Sequence, residues 1–183
     1  MAASEDDSAH PLADLGSHHI EGWVEGFHSR QRIPLVSQIA GDLWMGGCID
    51  GTALPRRFRS VISLYPHARY RLNNGTERIE YAFKDASYVP ELGRLHTAAR
   101  QVLEHARRGP TLVHCQAGLN RSGLVVGLAL VLDGYTPSAA IELLRTQRSP
   151  AVLCNTVFDQ WLRTFNPEEL PVADLLDGRD MRA

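Results

Sequence analysis

No stretch of this chain is long and apolar enough to span a membrane. The longest apolar run, Gly123 to Leu132, falls far short of the roughly 20 residues a spanning helix needs. A basic leader is also missing, because the N-terminus opens on acidic residues where a secretory signal would carry positive charge. The expectation is a soluble, unexported, cytoplasmic protein. Cysteines are few and odd in number: Cys48, Cys115 and Cys154 form neither a disulfide framework nor a metal-ligand spacing. That favours free thiols in a reducing compartment and leaves a reactive cysteine open. His18 and His19 have no acidic or thiol partner at ligand spacing, so no metal is expected. An excess of charge is absent too, and a formal net charge of -2 gives no global pull toward nucleic acid. The local arginine groups, Arg56, Arg57 and Arg59, Arg69 and Arg71, and Arg107 and Arg108, read first as solvated faces and only second as phosphate-facing. No internal repeat or low-complexity tract is visible. With 44% apolar and 22% charged residues the composition is that of an ordinary globular domain.

Residues 1–36 are polar, contain glycine and lack clean periodicity, and read as a partly disordered lead-in onto which Trp23, Val24 and Phe27 add docking groups. From Ile39 the pattern tightens. "QIAGDLWMGG" and "RSVISLY" read as short strands, and "ERIEYAFKD" alternates Ile79, Tyr81 and Phe83 against Arg78, Glu80 and Lys84. "PELGRLHTAARQVLEHARRGP" carries apolar residues at helical spacing, with Pro90 near its start and Gly109 as terminator. "TLVHC" reads as a buried strand and "SGLVVGLALVLDG" as a central buried helix. Thr136 caps a third helix opened by Pro137, and Asn155 caps a fourth. Strands in the first half and helices in the second predict a single α/β domain over residues 37–166. Its core is a mostly parallel sheet of about four to five strands flanked by helices, followed by a tail over 167–183.

In such a sheet, ligands bind beyond the carboxyl ends of the strands, where "LVHCQAGLNRSGLVV" places Cys115. A strand that runs through a glycine-bearing loop into a helix leaves backbone N–H groups converging, and the helix dipole adds about half a positive charge. The result is an anion cradle formed by Gln116, Ala117, Gly118, Leu119 and Asn120. Arg121 grips two phosphate oxygens through its planar fork. The same field lowers the Cys115 thiol and makes it a nucleophile toward phosphorus. Inert burial of Cys115, a surface Arg121 and a capping Ser122 are the bland alternatives.

His114-Cys115-Gln116-Ala117-Gly118-Leu119-Asn120-Arg121-Ser122 resembles the Cys-x5-Arg-Ser/Thr loop of the cysteine-dependent protein tyrosine phosphatases, and the short chain is most similar to their dual-specificity branch. The likeness runs from about Ile39 to Phe165 and includes "LWMGG" and "RSPAVLCN". It implies a protein tyrosine phosphatase-like fold and hydrolysis of phosphomonoesters through a cysteinyl-phosphate, without metal or organic cofactor. By the same resemblance Cys115 is the nucleophile and Arg121 the phosphate clamp. Ser122 eases thiolate departure, and His114 braces the loop and favours the thiolate. Asp85 resembles the family's general acid in its distance from the cysteine, with a turn-capping aspartate as the alternative and Glu91 as a nearby rival. Asn155 is either a supporting residue behind the site or a plain helix cap. Lys84 departs from the acidic residue often found before the acid.

Phosphoprotein ranks first as substrate, RNA 5'-phosphate second, because "GLNR" also resembles the loop of RNA 5'-triphosphatase relatives, and phosphoinositide third. Asn120, the feature shared with those relatives, is equally explained as a residue tolerant of unusual backbone angles. A binding module that recognises phosphorylated partners without turnover is the reading from another class. A resolving role for Cys48 or Cys154 toward an oxidised Cys115 is weaker than their reading as small buried hydrophobes.

Overall fold

The computed structural model describes residues 19–24, 29–51, 53–54 and 57–169. Residues 1–18, including His18, and the segments with Phe27 and the end of the tail lie outside the described residues. Where a lead-in without periodicity was expected, β1 (His19–Val24) and β2 (Ser29–Pro34) pair as an antiparallel hairpin forming its own sheet. Gly22 and charged residues interrupt the apolar alternation by which an exposed hairpin is normally read. The hairpin is anchored by Ile33, which is 2% exposed and joins the main core.

The central sheet is built from β3 (Val36–Ala40), β4 (Leu43–Gly46), β5 (Ser60–Ser63), β6 (Glu77–Glu80) and β7 (Thr111–His114), in the order β3-β4-β7-β5-β6. Only β3 runs antiparallel to its neighbour; the β4, β7, β5 and β6 pairings are parallel. "QIAGDLWMGG" is thus the β3–β4 hairpin and not one strand, because Gly41 turns the chain at φ 49. A second difference is the end of β6 at Glu80, five positions short of the predicted strand end. Tyr81 still donates its N–H to Ser63 O (2.9 Å), but β5, which pairs with β7 on its other side over the same residues, itself ends at Ser63. An edge strand whose one partner has ended has no ladder left to extend, so Asp85 sits in a loop.

Helices α1 (Leu92–Arg108), α2 (Arg121–Leu132), α3 (Pro137–Gln147) and α4 (Thr156–Thr164) follow the predicted pattern. Thr136 Oγ1 accepts from Ala139 N (3.2 Å) ahead of Pro137, as a cap should. All of α2 except Leu132 is buried, since it is wrapped by α1, α3 and α4 on top of the sheet. The helices do not flank the sheet on both sides. Met45, Ile62 and Val113 face them, while the alternate residues Trp44, Val61 and Leu112 face a smaller core with Leu54, Phe58, Ala68 and Tyr70. Those partners come from the β4–β5 and β5–β6 connections, which contain no helix among their described residues and so cover the second face as loops. There Trp44 meets Phe58 edge-on at 5.8 Å, and the Arg57 guanidinium stacks 3.9 Å from the Trp44 ring. Each fully buried aliphatic side chain contributes about 1.5–3 kcal/mol, so the buried α2 gives the loop at its start a stable base.

Candidate active site

The carboxyl ends of β4, β7 and β5 lie side by side, and the loop 115–120 leaves β7 between them to open α2. Cys115 N bonds back to Gly46 O (3.3 Å), which fixes the entry to the loop. Gly118 then adopts φ 73, and a Cβ there would overlap the Gly46 carbonyl and Arg148 Nη2. Only glycine accepts both the left-handed backbone and that approach. The turn it makes aims Gly118 N at Cys115 Sγ (3.2 Å), and the N–H groups of Leu119 and Ser122 act on the same sulfur electrostatically. Ser122 Oγ lies 3.5 Å from Sγ.

Cys115 is 2% exposed. Burial pushes its thiol up, but the Arg121 charge, the Ser122 hydroxyl and the Ser122 and Leu119 N–H groups outweigh it and hold the thiol below its ordinary value. Arg121 is also buried, with its guanidinium 5.2 Å from the Tyr65 ring and only long contacts from Nη1 to Leu64 O (3.5 Å) and Phe83 O (3.4 Å). Its Nε is buried with no hydrogen-bond partner. A buried guanidinium with an unpaired donor beside a ring of inward N–H groups is a receptor for an oxyanion.

The strand residue before the cysteine supports the loop without charge. Tyr70 Oη and His114 Nε2 are 2.7 Å apart, and His114 Nδ1 is 3.1 Å from Cys115 O. With Nδ1–H donating to the carbonyl, Nε2 accepts from the tyrosine hydroxyl. Burial, with Arg78 and Arg121 nearby, pushes the His114 pKa down to about 4, so it braces the loop as a neutral ring. Tyr70 was not singled out from sequence: it lies in an irregular connection, and nothing local marks its reach to His114.

Above the cradle, Asp85 is clasped by two amides. Asn120 Nδ2 donates to Oδ2 (3.0 Å) and Asn155 Nδ2 to Oδ1 (2.8 Å) and to Ala86 O (2.9 Å). A carboxyl oxygen that carries a proton retains a lone pair, so the clasp persists in the acid form. Asn155 Oδ1 simultaneously accepts from Val157 N (3.1 Å) and Phe158 N (3.3 Å), so it is both the α4 cap and a support of the Asp85 loop. Asn120 has ordinary helical angles (φ -88, ψ -65), and loop strain does not account for it. Its amide spans Asp85 on one side and Asn155 N (2.9 Å) and Cys154 Sγ (3.2 Å) on the other. Glu91 stands at the head of α1, exposed and without a side-chain cap bond. Gln116 is exposed with its carbonyl accepting from Cys48 N (3.0 Å), and Ala117 is half-buried.

Residues 56–168 match the family model described as the catalytic domain of dual specificity phosphatases. The chain belongs to this family. Over 85 residues, 44% of this chain, it is 34% identical to "Probable protein tyrosine phosphatase type IVA B" of Dictyostelium discoideum, covering 52% of that protein. Over 79 residues, 42% of this chain, it is 33% identical to "Phosphatidylglycerophosphatase and protein-tyrosine phosphatase 1" of Rattus norvegicus, covering 41% of it. The chain therefore spans about half or less of the curated relatives it matches. The crystal structure of human DUSP28 shares the fold, with a TM-score of 0.62 at 17% identity over 69% of this chain and 92% of that one.

For this family member the depressed thiol carries a direct expectation. The thiolate is the reactive form, so alkylation of Cys115 by iodoacetamide should stay fast as pH falls through the ordinary thiol range and decline only below it. Cys48, which burial and the Cys115 and Asp50 charges push up to about 11, should react only in strong alkali. Peptide mapping after timed alkylation from about pH 5 to 11 reads both. Arg121→Met should move the Cys115 midpoint upward.

Proposed function

We propose that this chain is a cysteine-dependent phosphatase acting on phosphoproteins, on phosphotyrosine first and on phosphoserine and phosphothreonine alongside it, with residues 37–166 as the catalytic unit. The observation that carries this reading is the Gly118 N–H aimed at the buried Cys115 sulfur, beside the Arg121 guanidinium with its unpaired Nε. The phosphate takes the centre of that ring, and Cys115 Sγ attacks phosphorus in line as the bond to the leaving oxygen breaks. Asp85 gives its proton to that oxygen. Arg121 and the loop amides hold the three equatorial oxygens, where charge accumulates. In the second step water attacks the cysteinyl-phosphate and passes its proton to Asp85. The S–P bond breaks, and the Ser122 hydroxyl hydrogen-bonds the departing thiolate. Positive charge from Arg121 and the α2 terminus serves where a metal otherwise would, so the reaction as proposed uses no cofactor.

Phospholipid phosphomonoesters are a second reading, favoured by the name of the rat relative. No helix among the described residues is long and apolar enough to cross a membrane, and we place the activity in the cytoplasm. Phosphate release should be compared on a phosphotyrosine peptide, a phosphothreonine peptide, a phosphoinositide and a 5'-triphosphorylated RNA, with Cys115→Ser as blank. Release from the peptides that vanishes in the blank supports the proposal; preference for the lipid or the RNA replaces the substrate; binding without release from any of them leaves a recognition module.

Asp85→Asn separates the acid from the rest when read as kcat/KM, which reports the first step and not the shared hydrolysis of the cysteinyl-phosphate. An alkyl phosphate needs protonation of its leaving oxygen and should lose about 100-fold in kcat/KM, while p-nitrophenyl phosphate, whose leaving group is stable as the anion, should lose far less. Equal losses on both would assign the proton to another group, with Glu91 the next to substitute.

A further inference from the structure

Arg148 is the first residue after α3 and is 6% exposed. Its guanidinium directs donors from all three nitrogens to oxygens. Nε donates to Gly118 O and Nη2 to Ala117 O (2.9 Å). Nη1 is shared by Pro34 O (3.1 Å), Met45 O (3.2 Å) and Ser37 Oγ (3.4 Å). None of these acceptors is a carboxylate. Burying a guanidinium without a counter-charge is costly, and burial pushes the Arg148 pKa down to about 10, with the Cys115 charge alone acting against it.

Two of its acceptors are carbonyls of the loop around the thiol. A carbonyl turned outward at one residue commits the next peptide N–H to the opposite, inward side. The Ala117 carbonyl directed at Arg148 therefore belongs to the same peptide unit as the Gly118 N–H directed at Cys115 Sγ (3.2 Å). The remaining acceptors tie that peptide to β3, β4 and the end of β2, so one side chain locks the loop to the sheet edge.

We propose that Arg148 is a positioning residue and a second, buried cation of the site. From behind the loop it turns the Ala117 and Gly118 carbonyls out, so that the N–H groups face in, and it supplies the loop with a counter-charge for thiolate and bound phosphate. The proposal rests on the phosphatase reading of the loop. Arg121 from α2, Cys48 from the connection after β4 and the neutral His114 of β7 also face the thiol, and they remain in place in the variants below.

The test compares Arg148→Met, which removes charge and fork, with Arg148→Lys, which keeps the charge and loses the planar five-donor geometry. Melting temperature, the pH midpoint of Cys115 alkylation, orthovanadate affinity, and kcat and KM on p-nitrophenyl phosphate are read for each. Arg148→Met should raise the alkylation midpoint, weaken vanadate binding and lower kcat/KM by about 100-fold. Arg148→Lys should leave the midpoint near that of the parent while kcat falls about 10-fold, because the donors no longer fit the carbonyls. A folded Arg148→Met with the parent's midpoint and kcat/KM overturns the proposal. Should Arg148→Met fail to fold, an Arg148→Lys with unchanged kcat/KM and vanadate affinity overturns it as well. If the parent chain hydrolyses nothing, the phosphatase reading falls, whereas the alkylation midpoint and vanadate affinity still decide the role of Arg148.

Discussion

Cys115→Ser is expected to bind phosphotyrosine peptide and release no phosphate, with turnover reduced by at least about 10^5-fold, about 7 kcal/mol of barrier. The N–H groups and arginine that lower the thiol act on a group that already ionises within reach of neutral pH. A serine hydroxyl in the same place starts too far above it to be ionised by them. Binding should survive, because the oxyanion ring belongs to Gly118, Leu119, Ser122 and Arg121 and does not depend on the sulfur. Calorimetric titration with the peptide and a phosphate-release assay on the same preparation read both halves. Residual turnover within about 100-fold of the parent would place the nucleophile elsewhere.

Gly118→Ala is expected to be strongly damaging without touching a reacting atom. At φ 73 an alanine costs about 1–2 kcal/mol in backbone conformation alone. Its Cβ would also press on the Gly46 carbonyl and on Arg148, adding about 1–3 kcal/mol of overpacking. The loop relieves both by opening, which carries Gly118 N away from the sulfur and spoils the ring. A loss of at least about 100-fold in kcat/KM should accompany a lower melting temperature. An alanine variant with parental activity and melting temperature would mean that the loop does not close tightly on Gly46.

What was legible from sequence is what local chemistry determines. The strand, loop and helix around Cys115 are contiguous, and their roles follow from residue type and spacing within a dozen positions; the helix starts at Thr136 and Asn155 are equally local. The end of β6 was not legible, because it depends on its partner β5 ending at Ser63 and not on anything in "EYAFKD". Nor was the inward turn of Arg148, whose acceptors include Pro34 and Met45, more than a hundred positions away in sequence. Asn120 illustrates the same limit at short range. Its place in the loop was plain, but its bond to Asp85 required knowing that the loop after β6 folds down onto it.

The loop-covered face of the sheet has an evolutionary consequence. Cys115, Leu119 and the body of α2 are rooted in the helical core, whereas Cys48, Tyr65 and Tyr70 pack into the smaller core beneath the connections on the other side. The floor of the site and one wall of its mouth are therefore mounted on separate foundations. Substitutions at Cys48 or Tyr65 repack the minor foundation, which reaches back to the Cys115 loop through Tyr70 and His114. Such an arrangement leaves the two sides of the mouth to vary by different rules, one through packing under the connections and the other through the helical core.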